Sequence, residues 1–197
     1  MQTRTAEVRR QTKETDITLS LCLDGRGTCD CRTGVGFFDH MLDGFARHGV
    51  FDLTLRCDGD LHVDPHHTVE DVGIALGTAI RQAAGDKAGI RRFGQCILPM
   101  DDALVLCALD LSGRPYYCSD VQYAAQTIGD MPTELFREFF YAVSYTAQMN
   151  LHFKLLSGEN SHHIIEAMFK GLGRALGEAV SIDEKYRDEI PSTKGVL

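Results

Sequence analysis

The chain repeats itself, and this repeat constrains the fold more than any other feature of the sequence. Residues 38–56 (FDHMLDGFARHGVFDLTLR) run in phase with residues 136–154 (FREFFYAVSYTAQMNLHFK). Each segment has apolar residues at helical spacing, followed by a short alternating run that is typical of a strand. Each then leads through a glycine-containing turn into a second helical pattern, HHTVEDVGIALGTAI or HHIIEAMFKGLGRAL. The pattern predicts two copies of one supersecondary unit.

Strand-like sequence precedes each helical segment. It covers residues 17–23 and 34–37 in the first copy and residues 96–111 in the second. Strands combined with helices in each copy predict an α+β fold, an internally duplicated half-domain in which two helices cover one face of a mostly antiparallel sheet of about four strands. A boundary near Arg91 gives halves 1–91 and 92–197. Because no linker separates them, we expect the halves to pack as one compact unit.

Composition and charge narrow the function. The 197 residues include 20 Lys and Arg against 28 Asp and Glu, and the net charge of −8 argues against a nucleic-acid partner bound through its phosphates. The sequence has no apolar run of about 18 residues, and residues 1–10 lack the apolar core of a signal peptide. We therefore expect a cytoplasmic protein without a membrane partner. Of the seven cysteines, Cys29 and Cys31 are one residue apart, but no second thiol pair completes a zinc site, so reduced thiols are expected.

Two adjacent histidines open the second helical pattern of each half. In the first half Asp64 is a good N-cap and Pro65 suits the first helical position, so His66 and His67 lie in the first turn, with Glu70 one turn later. Neighbouring helical residues diverge by about 100°, so one pair of imidazoles cannot easily chelate one ion. Each helix therefore presents ligands in two directions. The same pattern recurs in the second half, with Asn160 or Ser161 as the cap, at His162, His163 and Glu166.

A single histidine pair of this kind is usually a polar helix start, but two copies at equivalent repeat positions favour two metal sites. Imidazole and carboxylate donors without thiolate suit manganese, iron or zinc, and an open octahedral site favours manganese or iron. The preceding helix offers further donors, His40 in the first half and Glu138 at the matched position in the second. His152 competes with Glu138 for this role. Because the counterpart of His152 is Thr54, the repeat favours Glu138.

Six stretches of the chain resemble the imidazoleglycerol-phosphate dehydratase family. They are KETDITLSLCLDGRG, GFFDHMLDGFARHG, DPHHTVEDVGIALG, RRFGQCILPMDDAL, DLSGRPY and GENSHHIIEAMFK. The resemblance implies a ribosomal protein S5 domain 2-like fold and a lyase of histidine biosynthesis. Such an enzyme removes water from imidazole glycerol phosphate to give imidazole acetol phosphate. The resemblance also implies two manganese ions per active site and an octahedral homo-24-mer with active sites between its subunits.

The metal ligands that the resemblance implies are three histidines and one glutamate for each ion. They fall on His40, His66, His67, Glu70, His162, His163 and Glu166. Glu138 stands where some members of the family have an eighth, histidine ligand, and a carboxylate also binds manganese. The reaction removes a proton from a carbon beside the imidazole ring, which is too weak an acid for a side-chain base alone. A metal at each ring nitrogen would stabilise the imidazolate, which accounts for paired sites.

The remaining site residues are also implied by the resemblance. Glu14 matches the acid/base carboxylate of the family, and His48 and Asp101 fall in motifs near the substrate. Arginine offers bidentate donors to phosphate, and hydroxyl groups add to them. The residues implied for the substrate phosphate are Arg92, Arg114, Lys170, Ser192, Thr193 and Lys194.

Two other functions are compatible with paired histidine–glutamate helices. A metal-storage protein would need neither Glu14 nor a phosphate-binding group, and a dinuclear metallohydrolase would activate water rather than bind the substrate ring. The glycine-rich run at residues 171–177 (GLGRALG) lies inside a helical pattern rather than after a strand, which argues against a dinucleotide-binding loop.

Overall fold

The computed structural model describes residues 3–197 and shows the same order of principal elements in both halves of an α+β chain. The elements of the first half are β1 (Thr5–Gln11), β2 (Thr15–Cys22), β3 (Cys29–Arg32), α1 (Gly36–Gly49), β4 (Asp52–Gly59) and α2 (His66–Ala84). Those of the second half are β5 (Phe93–Met100), β6 (Ala103–Asp110), β7 (Tyr116–Ser119), the short hairpin β8 (Thr127–Ile128) and β9 (Met131–Pro132), α3 (Leu135–Ala147), β10 (Asn150–Ser157) and α4 (Ser161–Val180). A single 3-10 turn, Glu184–Tyr186, follows.

Each half builds one four-stranded sheet, with the orders β1-β2-β4-β3 and β5-β6-β10-β7. Neighbouring strands are antiparallel except at one edge, where β3 is parallel to β4 and β7 is parallel to β10. A parallel pair needs a crossover connection, and α1 and α3 supply it. The mostly antiparallel α+β architecture predicted from the sequence is confirmed.

The repeat holds at the level of single residues. α1 and α3 end in left-handed caps at Val50 (φ 59°) and Gln148 (φ 55°), which are matched positions in the sequence comparison. The next residue in each half donates its backbone N–H back into the helix, Phe51 to Ala46 and Met149 to Ser144. The strands that follow therefore leave their helices in the same way and take equivalent places in the two sheets.

The helices of the two halves pack against each other, α2 on α3 and α1 on α4, with one sheet on each outer side. Glycines allow this close approach. A Cβ on Gly77 of α2 would lie 2.5 Å from the Val143 carbonyl oxygen of α3, and a Cβ on Gly173 of α4 would lie 2.4 Å from the Phe45 carbonyl oxygen of α1. The glycine-rich run at residues 171–177 therefore serves helix packing inside α4, as its helical pattern predicted.

The core between the helices is aromatic and joins the two halves. Phe38 of α1 packs edge-on against Phe139 of α3, with ring centroids 5.2 Å apart, and Phe139 stacks on Phe169 of α4 at 5.0 Å. All three rings are fully buried. Edge-to-face and offset pairs at these separations are favourable, so the core fixes how the helix starts of one half face those of the other.

Two details of the sequence interpretation are corrected. Residues 34–37 are not a strand, because α1 already begins at Gly36, whereas the strand-like residues 96–111 do lie in strands, β5 and β6, joined by the turn at residues 101–102. Pro65 lies just before α2 rather than in its first position, although Asp64 still accepts a hydrogen bond from the backbone of His66 at 2.7 Å. Among residues 3–197, no helix has the length and apolar character needed to cross a membrane.

Candidate active site

The adjacent histidines diverge in the same way in both halves. The ring centroids of His66 and His67 lie 6.0 Å apart with an interplanar angle of 80°, and those of His162 and His163 lie 5.9 Å apart, also at 80°. At the start of α4 the Asn160 side chain accepts hydrogen bonds from the backbone N–H groups of both histidines. The two imidazoles of each pair thus belong to different surroundings, as the helical geometry predicted.

The first histidine of α4 meets α1. His162, Glu166 and His40 bring one donor atom each to within 4.8 Å of one another. The Glu166 Oε2 atom lies 3.2 Å from His162 Nε2 and 3.9 Å from His40 Nε2. Among the described residues this is the one group of three such donors that converges within the chain. It joins the two halves, because α1 and α4 come from different copies of the repeat.

Glu166 is a buried carboxylate held by a cation. Lys170, one turn later on α4, places its Nζ atom 2.6 Å from Glu166 Oε1. Burial favours the neutral acid, but the hydrogen bond and charge of Lys170, together with His40 and His162, outweigh it and lower the pKa of Glu166. The carboxylate therefore stays ionised and directs its second oxygen at the two imidazoles.

The second histidine of each pair faces acidic residues. His163 places Nδ1 at 2.6 Å from Asp102 Oδ1 and Nε2 at 3.4 Å from Asp101 Oδ2, and both acids lie in the turn between β5 and β6. His67 places Nδ1 at 3.0 Å from Asp60 Oδ2 and Nε2 at 3.9 Å from Glu14 Oε1.

Asp60 and Asp102, which the sequence interpretation missed, orient these two rings. The hydrogen bond that His67 donates to the Asp60 carboxylate raises the pKa of His67. Asp102 accepts the backbone N–H groups of Glu159 and Asn160, which hold its pKa well below the usual range, with a further contribution from His163. The repeat itself pointed to Asp102. The pairing of β2 with β4 in the first half corresponds to that of β6 with β10 in the second, and this correspondence places Asp102 at the position that Glu14 has in the first half.

The other predicted metal ligands do not form a second group within the described part of the chain. His66 and Glu70 lie partly exposed on α2, and Glu138 lies partly exposed on α3, the helix that packs against α2. His152 lies exposed on the outer face of β10, where it stacks on Tyr116 at 5.6 Å. Its neighbours Leu151 and Phe153 are buried toward the helices, so His152 points away from the helix starts. This geometry favours Glu138 over His152 as the eighth ligand.

Basic residues gather beside the three-donor group. Lys170 and His48 line a cavity of about 390 Å³ with Arg174, a residue that the sequence interpretation did not single out. Burial, followed by the charges of Lys170 and Arg174, lowers the pKa of His48. Because these cationic side chains repel a proton on His48, an anion bound in the cavity would be stabilised.

The remaining predicted phosphate-binding residues lie in the C-terminal tail, residues 191–197, or next to it. The Arg92 guanidinium makes two hydrogen bonds to Asp110, at 2.7 and 3.0 Å, and donates at 3.0 Å to the carbonyl of Pro191, just before Ser192, Thr193 and Lys194. Arg114 donates to the Ser112 carbonyl, in a turn whose Gly113 lies against Leu197. Arg92 is therefore largely committed within the chain and anchors the tail.

A family model matches the part of the chain that carries most of these residues. The model for imidazoleglycerol-phosphate dehydratase matches residues 33–176, which is most of the chain. The chain belongs to the imidazoleglycerol-phosphate dehydratase family. Members of this family are lyases of histidine biosynthesis, which confirms both the resemblance and the enzyme class that the sequence predicted.

Individual members of the imidazoleglycerol-phosphate dehydratase family are similar to this chain over nearly its whole length. The enzyme of that name from Lachnoclostridium phytofermentans is 58% identical over 194 residues, covering 98% of both chains. The one from Jannaschia sp. is 59% identical and is covered completely. The solved structure from Staphylococcus aureus has 35% identity and a TM-score of 0.83, covering 91% of this chain and 99% of that one. The structure from Pyrococcus furiosus has 40% identity and the same TM-score, with 96% and 100% covered.

Proposed function

We propose that the chain removes water from imidazole glycerol phosphate to give imidazole acetol phosphate, at a site that holds two manganese ions. The proposal rests on the ion pair of Glu166 with Lys170. Glu166 forms a group of metal-type donors with His40 and His162, and Lys170 lines the adjacent basic cavity together with His48. A substrate with an imidazole ring at one end and a phosphate at the other matches such a pair of neighbouring subsites.

The side chains fit a divalent transition metal. Two imidazoles and one ionised carboxylate converge, and no thiol belongs to the group. Asp60 and Asp102 contact the Nδ1 atoms of His67 and His163, which is the carboxylate–histidine arrangement that commonly orients metal-binding imidazoles. The ligand set completed by His66, Glu70 and Glu138 suits manganese. Bound at the substrate ring nitrogens, the metal would supply Lewis acidity that makes the neighbouring C–H bond more acidic.

The acidic residues beside the second histidines supply groups that can move a proton. Glu14 Oε1 lies 3.9 Å from His67 Nε2, and Asp101 Oδ2 lies 3.4 Å from His163 Nε2. In this proposal Glu14 accepts the proton from the carbon beside the ring, and Asp101 and His48 orient the polar groups of the glycerol chain. A carboxylate within reach of the substrate can act as a general base once the acidity of the C–H bond has been raised.

The substrate phosphate is assigned to the basic residues. Lys170 acts beside the metal-binding group, while Arg114 and the tail residues Ser192, Thr193 and Lys194 add further donors. Arg92 already donates to Asp110 and Pro191, so we assign it to holding the tail in place as well as to the phosphate. Phosphate is bound most strongly where several charged donors meet.

We infer that a second subunit completes each site, within an octahedral homo-24-mer. Among residues 3–197 the donors converge at a single group of three, which is fewer than an octahedral ion needs. The outer faces of the two sheets also differ. Phe93, Ile97, Tyr116 and Leu156 are exposed on the second sheet, and by strand register Thr5 and Arg9 occupy the places of Phe93 and Ile97 on the first. An exposed apolar face of this kind is typical of a surface that contacts another subunit.

The function is tested by measuring formation of imidazole acetol phosphate from imidazole glycerol phosphate with protein treated with a chelator and then supplied with manganese. The proposal expects little turnover without metal and recovery with manganese. Equal turnover by the stripped protein, or failure of manganese to restore activity to folded protein, would contradict it. A metallohydrolase or a storage protein would give no ketone product under any metal condition.

A further inference from the structure

Cys29 and Cys31 form a close pair on β3, the parallel edge strand of the first sheet. Their sulfur atoms lie 3.2 Å apart. Side chains two residues apart on a strand point to the same face, and both cysteines are partly buried against the hydrophobic core. Asp30, between them, points the other way and pairs with Arg56. The strand therefore holds two thiols side by side at the protein surface.

The two thiols are not chemically equivalent. The hydrogen bond between the two sulfur atoms lowers the pKa of Cys29 and, with burial, raises that of Cys31. The charges of Asp39 and Asp43 on α1 and of Asp30 oppose ionisation of Cys29 but do not reverse the direction. Because the thiolate is the nucleophile, Cys29 is the sulfur that reacts first and Cys31 is placed to react second.

We propose that Cys29 and Cys31 are a vicinal dithiol that a small-molecule disulfide, such as glutathione disulfide, oxidises reversibly to an intrachain disulfide. The Cys29 thiolate attacks one sulfur of the oxidant, forming a mixed disulfide and releasing one glutathione thiolate. Cys31 then loses its proton and attacks Cys29 Sγ, forming the Cys29–Cys31 bond and releasing the second glutathione. Two electrons pass from the protein thiols to the oxidant, and the two thiol protons end on two glutathione molecules.

The strand makes this disulfide easy to reduce. Residues two apart on a parallel strand have Cα atoms about 6.6 Å apart, close to the upper end of the range of about 4.4–6.8 Å that disulfides span. The bridge thus requires β3 to bend. Bending is tolerable because β3 is the edge strand of its sheet and, among residues 3–197, forms ladder hydrogen bonds with β4 alone. Strained disulfides are the readily reduced ones, so the pair is suited to reversible oxidation rather than to permanent crosslinking.

The sequence offers a direct readout. Trypsin cleaves after Arg26 and Arg32, so both cysteines fall in one peptide, residues 27–32 (GTCDCR). The folded protein is incubated with excess glutathione disulfide, its free thiols are blocked with iodoacetamide, and the digest is weighed by mass spectrometry. We expect this peptide to lack iodoacetamide and glutathione and to be two hydrogens lighter than the dithiol. Dithiothreitol given before the blocking step should restore two alkylation sites.

Three controls separate the proposal from simple thiol reactivity. In Cys31→Ser, Cys29 should retain one glutathione, and in Cys29→Ser, residue 31 should remain mostly alkylatable. Cys96 and Cys107 face each other across β5 and β6, but Cys107 is fully buried, so that pair should stay reduced in folded protein. Two alkylated cysteines, or glutathione left on Cys29 in the wild-type protein, would overturn the proposal.

Discussion

The Lys170 ammonium lies 2.6 Å from one oxygen of the Glu166 carboxylate, while the other oxygen of that carboxylate faces His162 at 3.2 Å. One buried carboxylate therefore touches both a cation assigned to the substrate phosphate and an imidazole assigned to the metal. The spacing of four residues on α4 fixes this arrangement, because residues one turn apart lie on the same helix face. It links the two ends of the proposed substrate site through a single side chain.

Replacing Lys170 should separate phosphate binding from metal binding. Lys170→Met removes the charge next to the cavity, and a lost hydrogen bond to a charged group costs about 1.5–3 kcal/mol, so KM for the substrate should rise about ten- to hundredfold. The manganese stoichiometry should be kept. Lys154→Met, which breaks an exposed pair with Asp120, is the matched control and should leave KM within about twofold. An unchanged KM in Lys170→Met would remove Lys170 from the phosphate site.

His48 should make stability depend on pH in a defined direction. Burial and the charges of Lys170 and Arg174 lower its pKa in the folded state, so the unfolded chain binds its proton first as the pH falls. The free energy of unfolding should therefore decline as the pH drops below the unfolded value of about 6.5, and this decline should be smaller in His48→Asn. Urea unfolding at several pH values measures it.

A second variant tests the cause of the His48 shift. In Lys170→Met, an NMR titration should show the pKa of His48 moving back up toward its ordinary value, because one repelling charge is gone. Inorganic phosphate bound in the wild-type cavity should move it in the same direction. A pKa that responds to neither change would mean that burial alone causes the shift.

Asp71 should matter for stability although it contacts no proposed ligand. Its buried carboxylate accepts hydrogen bonds from Arg10 at 2.7 Å and from Thr15, next to Glu14, at 2.5 Å. Asp71→Asn leaves the Arg10 cation without its partner, and since that cation is one-third exposed we expect a loss of about 2–3 kcal/mol in urea unfolding. Asp30→Asn, which breaks the exposed pair with Arg56, should lower the stability much less, because solvent screens that pair. An equal loss of unfolding free energy in the two variants would show that the buried network stabilises the fold no more than the exposed pair does.

The outer face of the second sheet should control assembly. Ile97→Lys places a charge on the exposed apolar face and should convert the large species to smaller ones in light scattering at equal protein concentration. Arg9→Glu, at the equivalent position of the first sheet, should leave the large species intact. If Ile97→Lys keeps the wild-type mass, this face is not a subunit contact.

The sequence predicted the duplication, the α+β class and the divergence of the histidine pairs because all three follow from local periodicity. The matched caps at Val50 and Gln148 show how closely the repeat runs. The strand predicted at residues 34–37 was wrong because four apolar and glycine residues carry no periodicity that separates a strand from a helix start. Arg174 and Asp60 were missed because their roles depend on which elements meet in three dimensions, which no spacing along the chain encodes.

The site residues, too, could be predicted only in part from the sequence. The repeat and the family resemblance predicted His40, His162 and Glu166 as metal ligands without assigning them to one ion, and the structure brings these three together. His66, Glu70 and Glu138 were also predicted as metal ligands, yet they do not converge with other donors in the described chain. A site shared between subunits has this appearance, because the sequence specifies its residues while one chain supplies only part of its geometry.

Anomalous diffraction at the manganese edge tests the proposed metal site, on crystals of protein that has been shown to dehydrate imidazole glycerol phosphate. We expect two manganese peaks per chain, one of them coordinated by His40 Nε2, His162 Nε2 and Glu166 Oε2. That peak should be lost in Glu166→Gln and kept in Glu178→Gln on the same helix. Active crystals without manganese at this group would show that the three donors do not hold the catalytic metal.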